Sequence, residues 1–316
     1  MSIIEQAAKR LEELNRAGID VPWAATGRAD NALRKDNLGV LPLPQPGPAL
    51  TAEAAPRTAV PANDTPVRDA VEEPPRVDVV LDIERLERTG QLVPMQTRTL
   101  LAEEFRAIKR PLLKNARSKK SAANRLSLIM VTSALPGEGK TFFAINLAMS
   151  IATEIDLSVL LIDADVVRQD AMDRLGVAAE GGLLDLLTDP SRSLDDVVLR
   201  TNVPKLSLLP AGRRNNLSTE LLASSAMDKL LQRLANEFPR QVVVFDAPPL
   251  LLTSQARVLA SRVGQVVLVV EASRTQRNVV EQAFAVVEQC PIVLSVLNKA
   301  SERASGAGYG YGYGYY

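Results

Sequence analysis

The chain has 316 residues, of which 46% are hydrophobic, and its 37 Lys and Arg balance 37 Asp and Glu. This composition predicts a soluble globular protein of one large or two modest domains, and the balanced charge gives no reason to expect a nucleic acid partner. The sequence contains no histidine and only one cysteine, Cys290. Serine–histidine catalysis, histidine phosphorelay, histidine metal ligation, intrachain disulfides and cysteine metal clusters are therefore excluded.

The N-terminal part carries no catalytic motif. Residues 1–17 predict an amphipathic helix that begins with a capping box of Ser2 and Glu5. Residues 18–96 are rich in proline, alanine and charge, which predicts a largely disordered linker. No signal peptide and no run of roughly 18 apolar residues is present, so we expect a protein of the reducing cytoplasm that neither spans a membrane nor is secreted.

Residues 97–300 alternate between helical and strand patterns. A helix is predicted from Thr99 to Ala116. Short, fully apolar strands are predicted at Leu126–Thr132, Val159–Ile162, Leu206–Leu209, Val242–Phe245, Val266–Val270 and Ile292–Leu297. This pattern predicts an α/β fold with a mostly parallel, doubly wound sheet that is covered by helices on both faces.

A phosphate-binding loop is predicted between the first strand and the following helix. The segment Ala134–Thr141 reads ALPGEGKT, a Walker A motif in its strand–loop–helix context. The glycines let backbone N–H groups surround phosphate oxygens, Lys140 is expected to reach the β- and γ-phosphates of ATP, and the Thr141 hydroxyl to bind Mg²⁺. The alternative, a glycine turn that only caps a helix, explains this context less well. The predicted nucleotide-binding residues are Pro136, Gly137, Glu138, Gly139, Lys140, Thr141 and Phe142.

Two later strands end in carboxylates, in the segments LLIDAD and VVVFDAPP. Because the carboxyl ends of parallel strands meet at one edge of a sheet, Asp163, Asp165 and Asp246 are expected beside the loop. With Thr141 they form the predicted magnesium ligands. A strand-end aspartate is more often a helix cap or a turn residue, but three of them in a nucleotide-binding fold favour function. Asn298, at the end of the last strand, contacts either the nucleotide base or only its own turn.

The tail, residues 301–316, holds every tyrosine of the chain, mostly alternating with glycine. Tyrosine normally supplies buried aromatic surface, so its absence from the predicted core is unusual. Beside a γ-phosphate site, a flexible row of phenols suggests phosphoryl acceptors, although a sticky low-complexity tail has the same composition. The predicted acceptors are Tyr309, Tyr311, Tyr313, Tyr315 and Tyr316.

Together, ALPGEGKT, LLIDAD, VVVFDAPP and the tyrosine tail resemble the bacterial tyrosine kinases (BY-kinases), a P-loop family that controls exopolysaccharide synthesis. The opening segment and EEFRAIKRPLL resemble the tyrosine autokinases of exosortase and exopolysaccharide gene clusters. The resemblance implies an ATP-dependent protein tyrosine autokinase, a non-specific protein-tyrosine kinase, that regulates exopolysaccharide biosynthesis and export and phosphorylates its tail in trans. It also implies that Lys140 and Mg²⁺ offset charge, that Asp163 accepts or orients the phenol proton, and that Asp165 and Asp246 hold the metal.

The resemblance further implies a homo-oligomeric ring. Glu103, Arg106 and Lys109 match the E-x-x-R-x-x-R element that joins subunits, with lysine in place of the last arginine. Val167 stands where the family usually has arginine, and Arg168 follows it. The implied partners are a separate membrane polysaccharide co-polymerase (chain-length determinant) as activator and a cognate tyrosine phosphatase, with no nucleic acid. The implied location is the cytoplasm, at the inner face of the cell membrane through a partner.

Two other functions fit the same motifs. A positioning ATPase of the ParA or MinD type shares the fold, but such proteins carry a signature lysine where this chain has Leu135. A non-enzymatic scaffold whose nucleotide site only regulates assembly is the third possibility.

Overall fold

Seven strands form one sheet in the part of the chain that the computed structural model describes, residues 77–94, 98–118, 125–238 and 240–300. The strands are β1 (Leu128–Ser133), β2 (Ser158–Asp163), β3 (Leu199–Arg200), β4 (Leu206–Leu209), β5 (Gln241–Asp246), β6 (Gln265–Glu271) and β7 (Ile292–Asn298). Their order is β3-β4-β2-β5-β1-β6-β7, and every neighbouring pair except β3–β4 is parallel. The predicted mostly parallel sheet is confirmed.

Helices cover both faces of this sheet. They are α1 (Ile83–Arg88), α2 (Leu100–Ala116), α3 (Lys140–Ala152), α4 (Asp170–Leu175), α5 (Leu183–Thr188), α6 (Ser218–Ala223), α7 (Ser225–Asn236), α8 (Ser254–Ala260) and α9 (Arg277–Val286), with a 3₁₀ turn at Leu194–Asp196. Because successive strand side chains point to opposite faces, Ile129 and Val131 of β1 join one apolar cluster while Leu128 and Met130 join another. The sheet is therefore doubly wound, as predicted.

The six predicted strands and the helix from Thr99 occur within two residues of their predicted bounds. The Thr99 hydroxyl caps α2 by accepting the N–H of Ala102 at 3.1 Å. The two-residue strand β3 was not predicted, because it lies at the sheet edge and has no apolar run.

The structure corrects the predicted linker at its C-terminal end. Residues 77–94, which we call the strap, pack against the domain, and Leu81, Leu86, Leu92 and Val93 are buried. The Leu81 N–H donates to Asn202 at 2.8 Å, and the Leu92 N–H donates to Asn146 of α3 at 2.5 Å. These leucines are five and six residues apart and charged residues lie between them, so no helical period marks them in the sequence.

Several predictions fall on residues that the structure does not describe. They are the helix of residues 1–17, the linker up to residue 76 and the tyrosine tail, residues 301–316. Within the described ranges, no helix combines the length and the apolar character needed to cross a bilayer.

Candidate active site

The loop between β1 and α3 has the backbone that phosphate binding requires. Gly137 and Gly139 have φ of +86° and +101°, which side chains disfavour. A Cβ at Gly139 would also lie 2.1 Å from Nδ2 of Asn298. The 13-residue helix α3 begins directly after Gly139, so its free N–H groups and the positive end of its dipole lie at the loop. This geometry suits an anion such as a phosphate.

Parallel pairing of β2 and β5 brings the predicted carboxylates together. Asp163 and Asp246 are partners in the register of the two strands, at the last position of each. Nζ of Lys140 lies 2.8 Å from Oδ2 of Asp165 and 3.9 Å from Oδ1 of Asp246. All four residues are buried; Asp163 and Asp246 have no exposed surface, and Lys140 has 7%. Three carboxylates thus surround one ammonium group at the loop.

The two strand-end carboxylates are incompletely hydrogen-bonded. Oδ1 of Asp163 accepts the N–H of Asp165 at 3.1 Å, but its Oδ2 and both oxygens of Asp246 accept no hydrogen bond from the described residues. Burial, followed by the charges of Asp246 and Asp165, raises the pKa of Asp163 to about 8. Burial likewise raises the pKa of Asp246 to about 6, although the Lys140 ammonium and the nearby Thr141 hydroxyl oppose this shift.

The pKa of Lys140 is raised as well, but for this group a higher pKa favours the charged form. Its burial alone would lower the pKa of the ammonium group, but the nearby carboxylates of Asp246 and Asp165 outweigh burial and raise this pKa. The ammonium group therefore stays charged at neutral pH. It also donates to the Thr141 hydroxyl at 3.2 Å, which joins the predicted metal-binding hydroxyl to the cluster.

The cluster fits a magnesium ion that is shared with phosphate. In the described part of the chain, no three acidic, histidine or cysteine side chains converge into a cation site of their own. Mg²⁺ is usually held by one or two carboxylates, substrate phosphates and water molecules, so a complete protein cage is not required. The oxygens of Asp246 that lack hydrogen bonds supply the hard ligands such an ion prefers, while Oδ2 of Asp163 is open to a proton.

Glu138 and Asn298, both predicted to contact the nucleotide, brace the loop itself. The buried carboxylate of Glu138 accepts the N–H of Leu135 at 2.7 Å and the hydroxyl of Thr275. Nδ2 of Asn298 donates to the backbone oxygen of Glu138 at 2.8 Å, and Nζ of Lys299 donates to that of Gly137 at 2.7 Å. Sequence reasoning missed the two bracing residues after β6 and β7, Thr275 and Lys299, because no motif marks them. The base contact of Asn298 stays a prediction.

The remaining predicted loop residues differ in exposure. Pro136 and Gly137 are exposed, Thr141 is buried, and Phe142 is half-buried. The Phe142 carbonyl accepts a hydrogen bond from Asn146 within α3 at 2.9 Å. The loop thus presents its exposed backbone beside the buried end of α3.

The predicted subunit-contact element lies on α2, and its last residue differs from the prediction. Glu103 and Arg106 form an ion pair with each other. Lys109 is only 4% exposed: Nζ donates to the Ser150 carbonyl at 2.6 Å and pairs with Glu154 at 2.8 Å. These contacts secure the C-terminal end of α3, so this lysine is engaged inside its own domain.

The segment after β2 shows what replaces the family arginine. Val167 is 55% exposed and the Arg168 side chain is also exposed. The Arg168 N–H donates to the backbone oxygen of Asp165 at 3.1 Å and lies 3.3 Å from its Oδ1. Arg168 thus helps to hold Asp165 through its backbone.

Comparison with known proteins relates this chain to one domain family and to several tyrosine-protein kinases. The AAA domain family matches residues 127–291, just over half of the chain. Over 180 residues the chain is 33% identical to the tyrosine-protein kinase CpsD of Streptococcus agalactiae, which covers 55% of this chain and 76% of that protein. It is 29% identical over 195 residues to the tyrosine-protein kinase YwqD of Bacillus subtilis, covering 62% of this chain and 78% of that protein.

Solved structures give the same grouping. The VpsO kinase domain is 31% identical, with a TM-score of 0.51, and covers 64% of this chain and all of that one. The kinase domain of the Escherichia coli tyrosine kinase ETK is 25% identical, with a TM-score of 0.53, and covers 72% of this chain and 98% of that one.

Proposed function

This chain belongs to the bacterial tyrosine-protein kinases, and we propose that it transfers the γ-phosphate of ATP to tyrosine hydroxyls. One observation carries the proposal: a phosphate-binding loop adjoins a buried cluster of Lys140, Asp163, Asp165 and Asp246. Such a cluster offers a cation for phosphate, oxygens for Mg²⁺ and a carboxylate that can take a proton. These are the functions that transfer to a hydroxyl requires.

The charged groups divide the work of the transfer. The bond between the phenol oxygen and phosphorus forms as the bond to the ADP oxygen breaks, and the phenol proton passes to Asp163. A pKa of about 8 leaves a fraction of this group ionised near neutral pH, and that carboxylate is a stronger base than an ordinary aspartate. Lys140 offsets the charge on the phosphate oxygens, and Asp246, Asp165 and Thr141 would hold Mg²⁺. When bound, this ion supplies charge neutralisation and orients the phosphates.

The acceptors that we propose are the five tyrosines of residues 309–316, phosphorylated by a neighbouring copy in an oligomer. As in the family, we propose a role in the regulation of exopolysaccharide biosynthesis and export. A membrane co-polymerase would activate the enzyme at the inner face of the membrane, and a tyrosine phosphatase would reverse the modification. Glu103 and Arg106 on α2 remain the proposed subunit contacts.

The test is incubation of the full chain with Mg²⁺ and γ-labelled ATP, followed by mapping of the label. We expect label on the tail tyrosines and a loss of about 10²–10³ in rate for Lys140→Ala, the effect of removing one electrostatic group from a transition state. Lys205→Ala is the matched control, because this exposed lysine lies just before β4, at the amino ends of the parallel strands and so at the opposite end from the carboxylates. ATP hydrolysis without labelled protein would indicate a positioning ATPase instead, and nucleotide binding without turnover would indicate a scaffold.

A further inference from the structure

Three exposed apolar side chains lie on loops beside the carboxylate cluster. Val167, Leu217 and Leu252 are 55%, 60% and 62% exposed. They lie in the loops that follow β2, β4 and β5, three strands that are neighbours in the sheet and parallel. All three loops therefore leave the same edge of the sheet as the catalytic carboxylates. We call these three residues the apolar rim.

The loops that carry the rim touch one another. Nε2 of Gln169 donates to the Gly212 carbonyl at 2.9 Å, which joins the loop after β2 to the loop after β4. Nε2 of Gln255 donates to the Ser218 hydroxyl at 3.1 Å, which joins the start of α8 to the start of α6. These hydrogen bonds join the three loops that carry the rim residues.

The rim is also adjacent to the reacting groups. Val167 follows Asp165 by two residues, and the backbone between them is fixed by the hydrogen bonds that Arg168 and Gln169 donate to the Asp165 carbonyl. The loop after β5 leads directly from Asp246 to Leu252. Two of the three rim residues thus lie within six residues of a carboxylate of the cluster.

The sequence supplies a ligand with matching chemistry. In the tail, Tyr309, Tyr311, Tyr313 and Tyr315 alternate with glycine. In an extended segment, residues two apart point to the same side, so aromatic rings would flank each acceptor on its own face. The tail also starts at this edge, because Lys299 contacts the phosphate loop. From there, the ten residues to Tyr309 span at most about 33–36 Å, which is compatible with reaching another copy.

We propose that the apolar rim binds the aromatic rings two residues from the acceptor, so that the site selects tyrosines within the Tyr-Gly-Tyr repeat of a second copy. This inference rests on the proposed kinase function and adds a substrate specificity to it. Apolar side chains suit this ligand, because aromatic rings bury large areas and flanking glycines leave both faces of each ring accessible.

The experiment compares two peptides as substrates of the full chain at saturating ATP and Mg²⁺. One peptide, GFGYGFGFF, has one acceptor with aromatic rings at the other tyrosine positions of the tail, and the second, GAGYGAGAA, has the same acceptor without those rings. We expect the KM of the first peptide to be about tenfold lower, which is the scale of one apolar contact. Leu217→Ser and Leu252→Ser should each remove most of this preference without changing the KM for ATP.

Ile155→Ser is the matched control, because Ile155 is 87% exposed and precedes β2 at the opposite edge. It should keep the preference. Equal KM values for the two peptides on the unaltered chain would overturn the inference, as would rim variants that preserve the preference. Labelling of neither peptide nor tail would instead refute the kinase function itself. Mixing the active chain with the Lys140→Ala chain tests whether the tail that is bound belongs to a second copy. Label should appear on the inactive chain, and the amount of label should decrease when the active chain carries Leu217→Ser.

Discussion

Replacement of Asp163 by Asn should change the stability of the fold in opposite directions at low and high pH. The ordinary pKa of 3.8 applies to the unfolded chain, whereas in the fold the pKa is about 8. The folded protein therefore binds more protons at this group between these values, so its stability falls as pH rises through that window. By linkage, keeping this carboxylate costs on the order of 2 kcal/mol at pH 5 and on the order of 5 kcal/mol at pH 8.

The asparagine amide removes this cost but adds another. Oδ2 of Asp163 has no hydrogen-bond donor among the described residues, and an amide nitrogen in its place would leave its own donors unsatisfied, at about 3 kcal/mol. We therefore expect Asp163→Asn to be less stable than the original chain by about 1 kcal/mol at pH 5 and more stable by about 2 kcal/mol at pH 8. Phosphoryl transfer should be lost at both pH values.

The assay is urea unfolding at both pH values in the presence of a chelator. Asp156→Asn is the matched control, because Asp156 precedes the same strand, is exposed, and should show no change of sign. If Asp163→Asn is destabilised equally at pH 5 and pH 8, the reasoning about its buried charge is wrong.

Three further predictions concern contacts outside the cluster. Thr275→Val should raise the Kd for ATP several-fold in a fluorescent-nucleotide titration, because Glu138 loses its hydroxyl donor. An unchanged Kd would show that this hydrogen bond does not support nucleotide binding. Lys109→Met should lower the free energy of urea unfolding by about 1–2 kcal/mol, since Glu154 is partly exposed and the buried end of α3 loses its cation. Unaltered stability with a lower sedimentation mass would instead place Lys109 at a subunit contact. Leu86→Ala should lower the free energy of unfolding by about 2–5 kcal/mol in the same assay, because it removes buried apolar volume. An unchanged free energy of unfolding would show that the strap does not stabilise the domain.

The sheet could be predicted from the sequence because its strands are buried on both faces. Runs such as those of β1 and β5 are continuously apolar, and in a parallel sheet no other pattern is needed. The cluster could be predicted because strand-end carboxylates share one edge. The charge distribution of the cluster could not be predicted. Which carboxylate oxygens lack hydrogen-bond partners depends on the backbone of the loops, and no local motif encodes that backbone.

The strap and the braces were missed for a related reason. Leu81 and Leu86 lie among acidic and basic residues, and the strap to which they belong is bonded to α3 and to the loop before β4, which are remote in sequence. Thr275 and Lys299 likewise contact a loop more than 130 residues away. Residues whose partners are that distant carry no periodic signal, so only the tertiary structure assigns them.

The carboxylates themselves argue against a purely structural role. Were Asp163 and Asp246 helix caps, each would accept N–H groups at the start of the next helix. The next helices begin elsewhere: Gln169 precedes α4, and Thr253 caps α8 by accepting the Ala256 N–H. Both aspartates are instead fully buried with oxygens that accept no hydrogen bond from the described residues, at a cost to stability. A cost of this kind, next to a phosphate-binding loop, is better explained by a ligand that uses those oxygens than by the fold alone.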